Sequence, residues 1–170
     1  MHGYARDDGL FDIEGHLTDR KPVPFAADAG VLVRAGDAIH EMWVRLTIDE
    51  GFVIRDVAAD TEASPFDDCR MAPDSLTQMV GVRIGAGWAR EIRQRLGGVK
   101  SCTHLMEMLI PMGTAAIQAM AVPLRGHPTE RDGSGRPKMI DSCFALSSDR
   151  RVVAIRWPAH YTGSRKEPYS

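Results

Sequence analysis

A thiol, an imidazole and a carboxylate fall within six residues at Cys102, His104 and Glu107. They follow the Gly97-Gly98 break, where Ser101 or Thr103 could cap the start of a helix. The free N–H groups and positive dipole end of a helix favour a thiolate, which suits Cys102 for nucleophilic attack or for metal ligation. His104 can move a proton near neutral pH, and Glu107, one turn later, is spaced to orient it. The plainer readings are a small buried thiol and a histidine that only meets solvent.

His40 is the second candidate proton carrier. It shares parity with Met42, Val44, Leu46 and Ile48, so a strand would point it toward the apolar face, where an imidazole needs a partner. Arg45 or Arg83 could pair with a carboxylate or phenolate. Trp43, Trp88, Met106 and Met108 could line an apolar slot, although at these spacings they also read as ordinary core. Cys69, Cys102 and Cys143 with His104 form a donor set that zinc or an iron–sulfur cluster accepts, but no Cys-x-x-Cys pair brings two of them together. There is no phosphate loop, no Gly-x-Ser-x-Gly elbow and no His-Glu-x-x-His. The glycine-rich residues 81–87 lack the strand and spacing of a dinucleotide fingerprint.

Residues 9–19 read as a strand with a bulge at Gly15, ended by Pro22 and Pro24. Residues 38–49 alternate strongly, Asp49-Glu50-Gly51 reverses the chain, and residues 52–57 return as the second arm of a hairpin. Residues 61–74 read as a loop carrying Cys69. From Leu76 the period becomes helical through Met79, Val80, Ile84, Trp88, Ile92 and Leu96, with a break expected near Gly85. A second helix opens near Thr103, with a stripe of Leu105, Met108, Leu109, Met112, Ala116 and Met120 and a kink at Pro111. Residues 123–138 read as a flexible exposed loop, a lid in the fullest reading. Residues 151–157 look like a last strand, and a polar tail begins at Pro158.

These elements must come from one chain of 170 residues, 44% hydrophobic and 26% charged, with net charge −2. That balance predicts one soluble domain over residues 1–170. It gives no basic excess for nucleic acid, and no apolar run approaches the ~20 residues of a membrane span. Three widely spaced cysteines make no disulfide framework, and the first residues carry no export signal. A cytoplasmic location is expected, with a small molecule as partner and a homodimer also open.

The chain resembles a bacterial family, domain of unknown function 2889. The resemblance rests on DGLFDIEGHLTD at residues 8–19, IHEMWVRLTID at residues 39–49, Cys69, Leu96-Gly97-Gly98, Cys102-Thr103-His104-Leu105 and Ile140-Asp141-Ser142-Cys143. The family pattern has Gly before the second cysteine, where this chain has Ser101. The resemblance implies a cytoplasmic protein of proteobacteria, encoded among genes for aromatic-compound breakdown. A weaker similarity, of layout only, is to iron–sulfur scaffold proteins of the NifU type, with Cys69, Cys102 and Cys143 as ligands assisted by His104 or Asp68.

The expected fold is α+β, a small antiparallel sheet with two or three helices packed on one face. The expected function is a cofactor-independent lyase on a phenolic aromatic compound, releasing formaldehyde or carbon dioxide. His104 would be the acid or base, Glu107 its orienter and His40 a second proton carrier. The competing readings are a zinc or iron–sulfur carrier and a non-catalytic protein that binds a small ligand.

Overall fold

A computed structural model describes residues 1–27, 30, 32–121 and 129–163. The chain divides into two compact units, residues 1–125 and 126–170.

The first unit is α+β. Its sheet has four antiparallel strands in the order β1 (His2–Ala5), β2 (Phe11–Arg20), β5 (Ala38–Ile48) and β6 (Ile54–Ala63). Two short strands, β3 (Phe25–Ala26) and β4 (Leu32–Val33), pair with each other. Alternation does the sorting. Phe11 and Ile13 on β2, and Met42, Val44, Leu46 and Ile48 on β5, are buried on one face. The helix α2 (Thr103–Met120) packs on β1, β2 and β5. Its buried residues include Leu105, Met108, Leu109, Met112, Ala116 and Met120, the stripe read from the sequence. The helix α1 (Trp88–Leu96) packs against α2, burying Trp88, Ile92 and Leu96.

Several elements differ from the sequence reading. Gly15 forms no bulge: it pairs in regular register with Val44. Its role is close approach, because a Cβ there would sit 3.0 Å from Met112 Sδ and 3.2 Å from Met108 Cγ. The irregularity falls at Asp19/Arg20, where Asp19 pairs with His40 and Arg20 with Ala38, leaving Ile39 as the extra residue. The β5–β6 hairpin is present, but β6 runs on to Ala63. Its turn places Phe52, at φ 63°, in the left-handed region. Asp49 holds that turn by accepting the Val53 N–H at 2.9 Å.

Cys69 lies on a 3₁₀ segment, Asp67–Met79, rather than in a loop. The apolar period from Leu76 therefore belongs to two elements. Gly81 and Gly87, both at positive φ, separate that segment from α1. The second helix contains Pro111, which removes one backbone donor from the ladder.

In the second unit, Arg151–Arg156 is a short helix, α3, where a strand was expected. Its backbone bonds are local: Ala154 N–H donates to Arg150 O and Trp157 N–H to Val153 O. Alternation over six residues does not distinguish a strand from a helix that buries one residue, here Val153. Residues 123–128 of the expected 123–138 loop lie outside the described residues, as does the tail from residue 164. From residue 129 the backbone forms a turn in which the Asp132 carboxylate accepts the N–H groups of Ser134 and Arg136.

Candidate active site

The bulge in β5 sets His40 against the end of β2. The Asp19 carboxylate accepts the His40 backbone N–H at 2.8 Å. The same oxygen lies 3.0 Å from His40 Nδ1. His40 is 8% exposed, and this carboxylate is the partner its burial requires. Burial opposes the charge on Asp19, but the two bonds from His40 outweigh it and hold the carboxyl below the usual carboxylate range.

Across the face of His40 lies His104, in the first turn of α2. The two ring centroids are 3.9 Å apart and the planes are tilted by 34°. Burial, and after it the neighbouring His40 ring, hold His104 below the ordinary histidine value, with Asp19 acting in the opposite sense. His104 is therefore a neutral imidazole at neutral pH, the form in which it accepts a proton. Its Nδ1 lies 3.8 Å from Cys102 Sγ. With the ring proton on Nε2, Nδ1 is an acceptor for the thiol.

Cys102 is the N-cap of α2. It also lines an open hollow of about 530 Å³ together with Phe66, Cys69, Ser75, Val99 and Ser101. The hydroxyls of Ser75 and Ser101 lie 2.6 Å apart on this wall. Cys69 stays a thiol at neutral pH, because burial, then Cys102 and Asp68, push its pKa up. The line from hollow to sheet therefore reads thiol, imidazole, imidazole, carboxylate: Cys102, His104, His40 and Asp19.

The structure does not bring the other candidates to this line. Glu107 is exposed and makes no hydrogen bond to His104. Asp19, bonded to His40, is the carboxylate of the histidine pair; Glu107 has the spacing to reach His104, but its side chain is turned to solvent. Trp43 and Arg45 have the opposite parity from His40 and leave the other face of the sheet. There Arg45 Nε is buried without a hydrogen-bond partner. Arg83 donates to Gly51 O at 3.0 Å, at the hairpin end of β5, roughly 25 Å along the strand from His40. Trp88 is structural: its indole N–H donates to Leu109 O at 2.9 Å. It also borders a separate hollow of about 350 Å³ with Ile84, Ile110 and Gly113. Met108 is buried core and Met106 packs partly against it.

Cys69 and Cys102 share one hollow, whereas Cys143 is an exposed residue of the second unit. Among the described residues no group of three or more His, Cys, Asp and Glu side chains is arranged to hold a metal ion.

Asp19 is the residue that sequence reasoning missed. A signal was present: Asp19 has the parity of Ile13 and Leu17, which places a carboxylate at the end of an apolar strand face. Its pairing opposite His40 depends on the β2–β5 register, which no tight turn between those strands reveals.

No helix among the described residues is long and apolar enough to cross a membrane. No curated protein and no solved structure matches the chain significantly. Residues 1–118, which hold the whole Cys102–His104–His40–Asp19 line, match the family described as Protein of unknown function (DUF2889), and the chain belongs to that family.

Proposed function

We propose that the protein is a cofactor-independent lyase that cleaves a C–C bond in a phenolic aromatic compound, releasing formaldehyde or carbon dioxide by acid–base chemistry. The observation that carries the reading is the close His40–His104 ring pair anchored by Asp19. Two adjacent imidazoles give one group to take a proton and one to return it. Asp19 fixes the tautomer and orientation of His40. His104, half-buried and neutral, is the base.

For a hydroxymethyl-bearing substrate, His104 takes the hydroxyl proton. The O–H pair becomes the second bond of formaldehyde, the C–C pair enters the conjugated ring system, and His40 returns a proton to that system. For a carboxylate substrate, carbon dioxide leaves and its bonding pair takes the same route. A phenol suits both steps, because its ring delocalises the charge that develops. No oxidant or metal enters either balance. The same reading puts the protein in the cytoplasm, in keeping with the free thiols of Cys69, Cys102 and Cys143.

The test is a panel of phenols carrying hydroxymethyl or carboxyl side chains, assayed for formaldehyde and carbon dioxide. His104→Ala, checked for folding by circular dichroism, should lower turnover by roughly 10²- to 10⁴-fold. Unchanged turnover in a folded His104→Ala protein refutes the role. Absence of both products from every compound with the wild-type protein refutes the lyase reading.

A further inference from the structure

The hollow meets the proton relay at a single side chain. Among the described residues its lining includes Cys102 but neither imidazole. Cys102 is the one member of the relay that borders it, and the Cys102 sulfur lies 3.8 Å from His104 Nδ1. Cys102 also opens an 18-residue helix whose first turn has no side-chain cap. The N–H groups of Thr103, His104 and Leu105 therefore have no partner within the helix. A nucleophile, its base and a set of donors for a developing oxyanion are the three parts of a covalent site. Three exposed large hydrophobic residues, Phe66, Met71 and Val99, border the hollow beside the charged Asp68 and Lys100. Exposed apolar side chains around a thiol-bearing recess suit the flat body of an aromatic ligand.

We infer that Cys102 is a nucleophile that adds to a conjugated carbonyl compound carrying an aromatic ring, held in this hollow, with His104 as its base. The thiol proton passes to His104 Nδ1 and the sulfur bonds to the β-carbon. The C=C pair moves to the carbonyl oxygen beside the uncapped N–H groups, and His104 returns its proton to the α-carbon. One S–C and one C–H bond form, one S–H and one C=C π bond break, and no electrons enter or leave. His40 packs against the His104 ring, and Asp19 orients His40, so both are positioning residues for this step. Cys69, in the same wall, is kept protonated and serves as an internal comparison.

The experiment exposes the full chain to benzalacetone, an aromatic enone, and follows adducts at each cysteine by peptide mass spectrometry. Cys143, exposed in the second unit, reports ordinary thiol reactivity. Cys102 should react faster than Cys143 by roughly a hundredfold, the lower end of what a positioned proton acceptor contributes. His104→Ala should bring Cys102 down to the rate of Cys143 and leave Cys143 unchanged. His104→Gln gives the same comparison if the alanine variant loses its thermal transition. Equal rates at Cys102 and Cys143 in the wild-type protein overturn the inference, as does a Cys102 lead that survives loss of the imidazole. The inference does not rest on the lyase reading. A negative panel of phenols leaves a His104-dependent adduct standing, and formaldehyde release without such an adduct removes this proposal alone.

Discussion

Burial first, and then the neighbouring histidine, hold the protonation of His104 down. His104 lies 3.9 Å from the His40 ring, and the neighbour adds to burial in disfavouring its charged form. Asp19 pulls the other way. His40→Gln keeps a side chain able to bond Asp19 but removes the ring whose charge opposes that of His104. The expected result is a His104 pKa higher than in the wild-type protein, because one lowering influence is gone while the Asp19 influence remains. A base-catalysed rate rises with pH as the base loses its proton, so the acidic limb of the rate–pH profile moves to higher pH in this variant. Titration of the His104 ring protons by NMR reads the same shift without a substrate. A shift to lower pH, or none, would show that the two rings are not electrostatically coupled.

The elements that carry these residues depend on two glycines with different neighbours. At Gly113 a Cβ would stand 2.6 Å from two atoms of the Trp88 indole. The indole N–H is bonded to Leu109 O on the same helix, so the ring has little room to yield. Gly113→Ala should cost about 1–3 kcal/mol by overpacking the α1–α2 contact. At Gly15 the nearest atoms are the Sδ atoms of Met112 and Met1 and Cγ of Met108, all in flexible side chains, at 3.0–3.2 Å. Gly15→Ala should therefore stay within about 1 kcal/mol, because methionines repack readily. Urea unfolding of the two variants separates the cases, and equal losses would contradict the argument. The same elements show what the sequence made legible. Period-two alternation from Met42 to Ile48 and the stripe from Leu105 to Met120 were plain, because each is long enough for its period to exclude the other. The break expected near Gly85 is there, between a 3₁₀ segment and an α-helix; that the first piece is 3₁₀ was not legible, because the two leave nearly the same spacing of apolar residues. His40 and His104 were legible as proton carriers from type and parity. The placing of Arg45 and Trp43 on the other face was legible from parity as well, whereas the pairing of Asp19 with His40 needed the strand register, which side-chain chemistry does not encode locally.

At the scale of the whole molecule, the family match and the packing coincide. The match covers residues 1–118, and the main hydrophobic cluster runs from Phe11 to Met120. Every strand of the four-stranded sheet, both longer helices and the Cys102–His104–His40–Asp19 line lie within the unit of residues 1–125. The buried hydrophobic residues beyond it are Ile140 and Val153 among those described. A domain folds alone when its own core is complete, and here the core closes before the second unit begins. A chain ending at residue 125 should therefore unfold in one cooperative thermal transition and keep the His40–His104 contact, visible as cross-peaks between the two rings by NMR. It should also keep the fast labelling of Cys102, since the hollow, its rim and the base are all in the retained part. Loss of the transition would mean that residues 126–170 complete the core. A retained transition with slow Cys102 labelling would mean that those residues form part of the site.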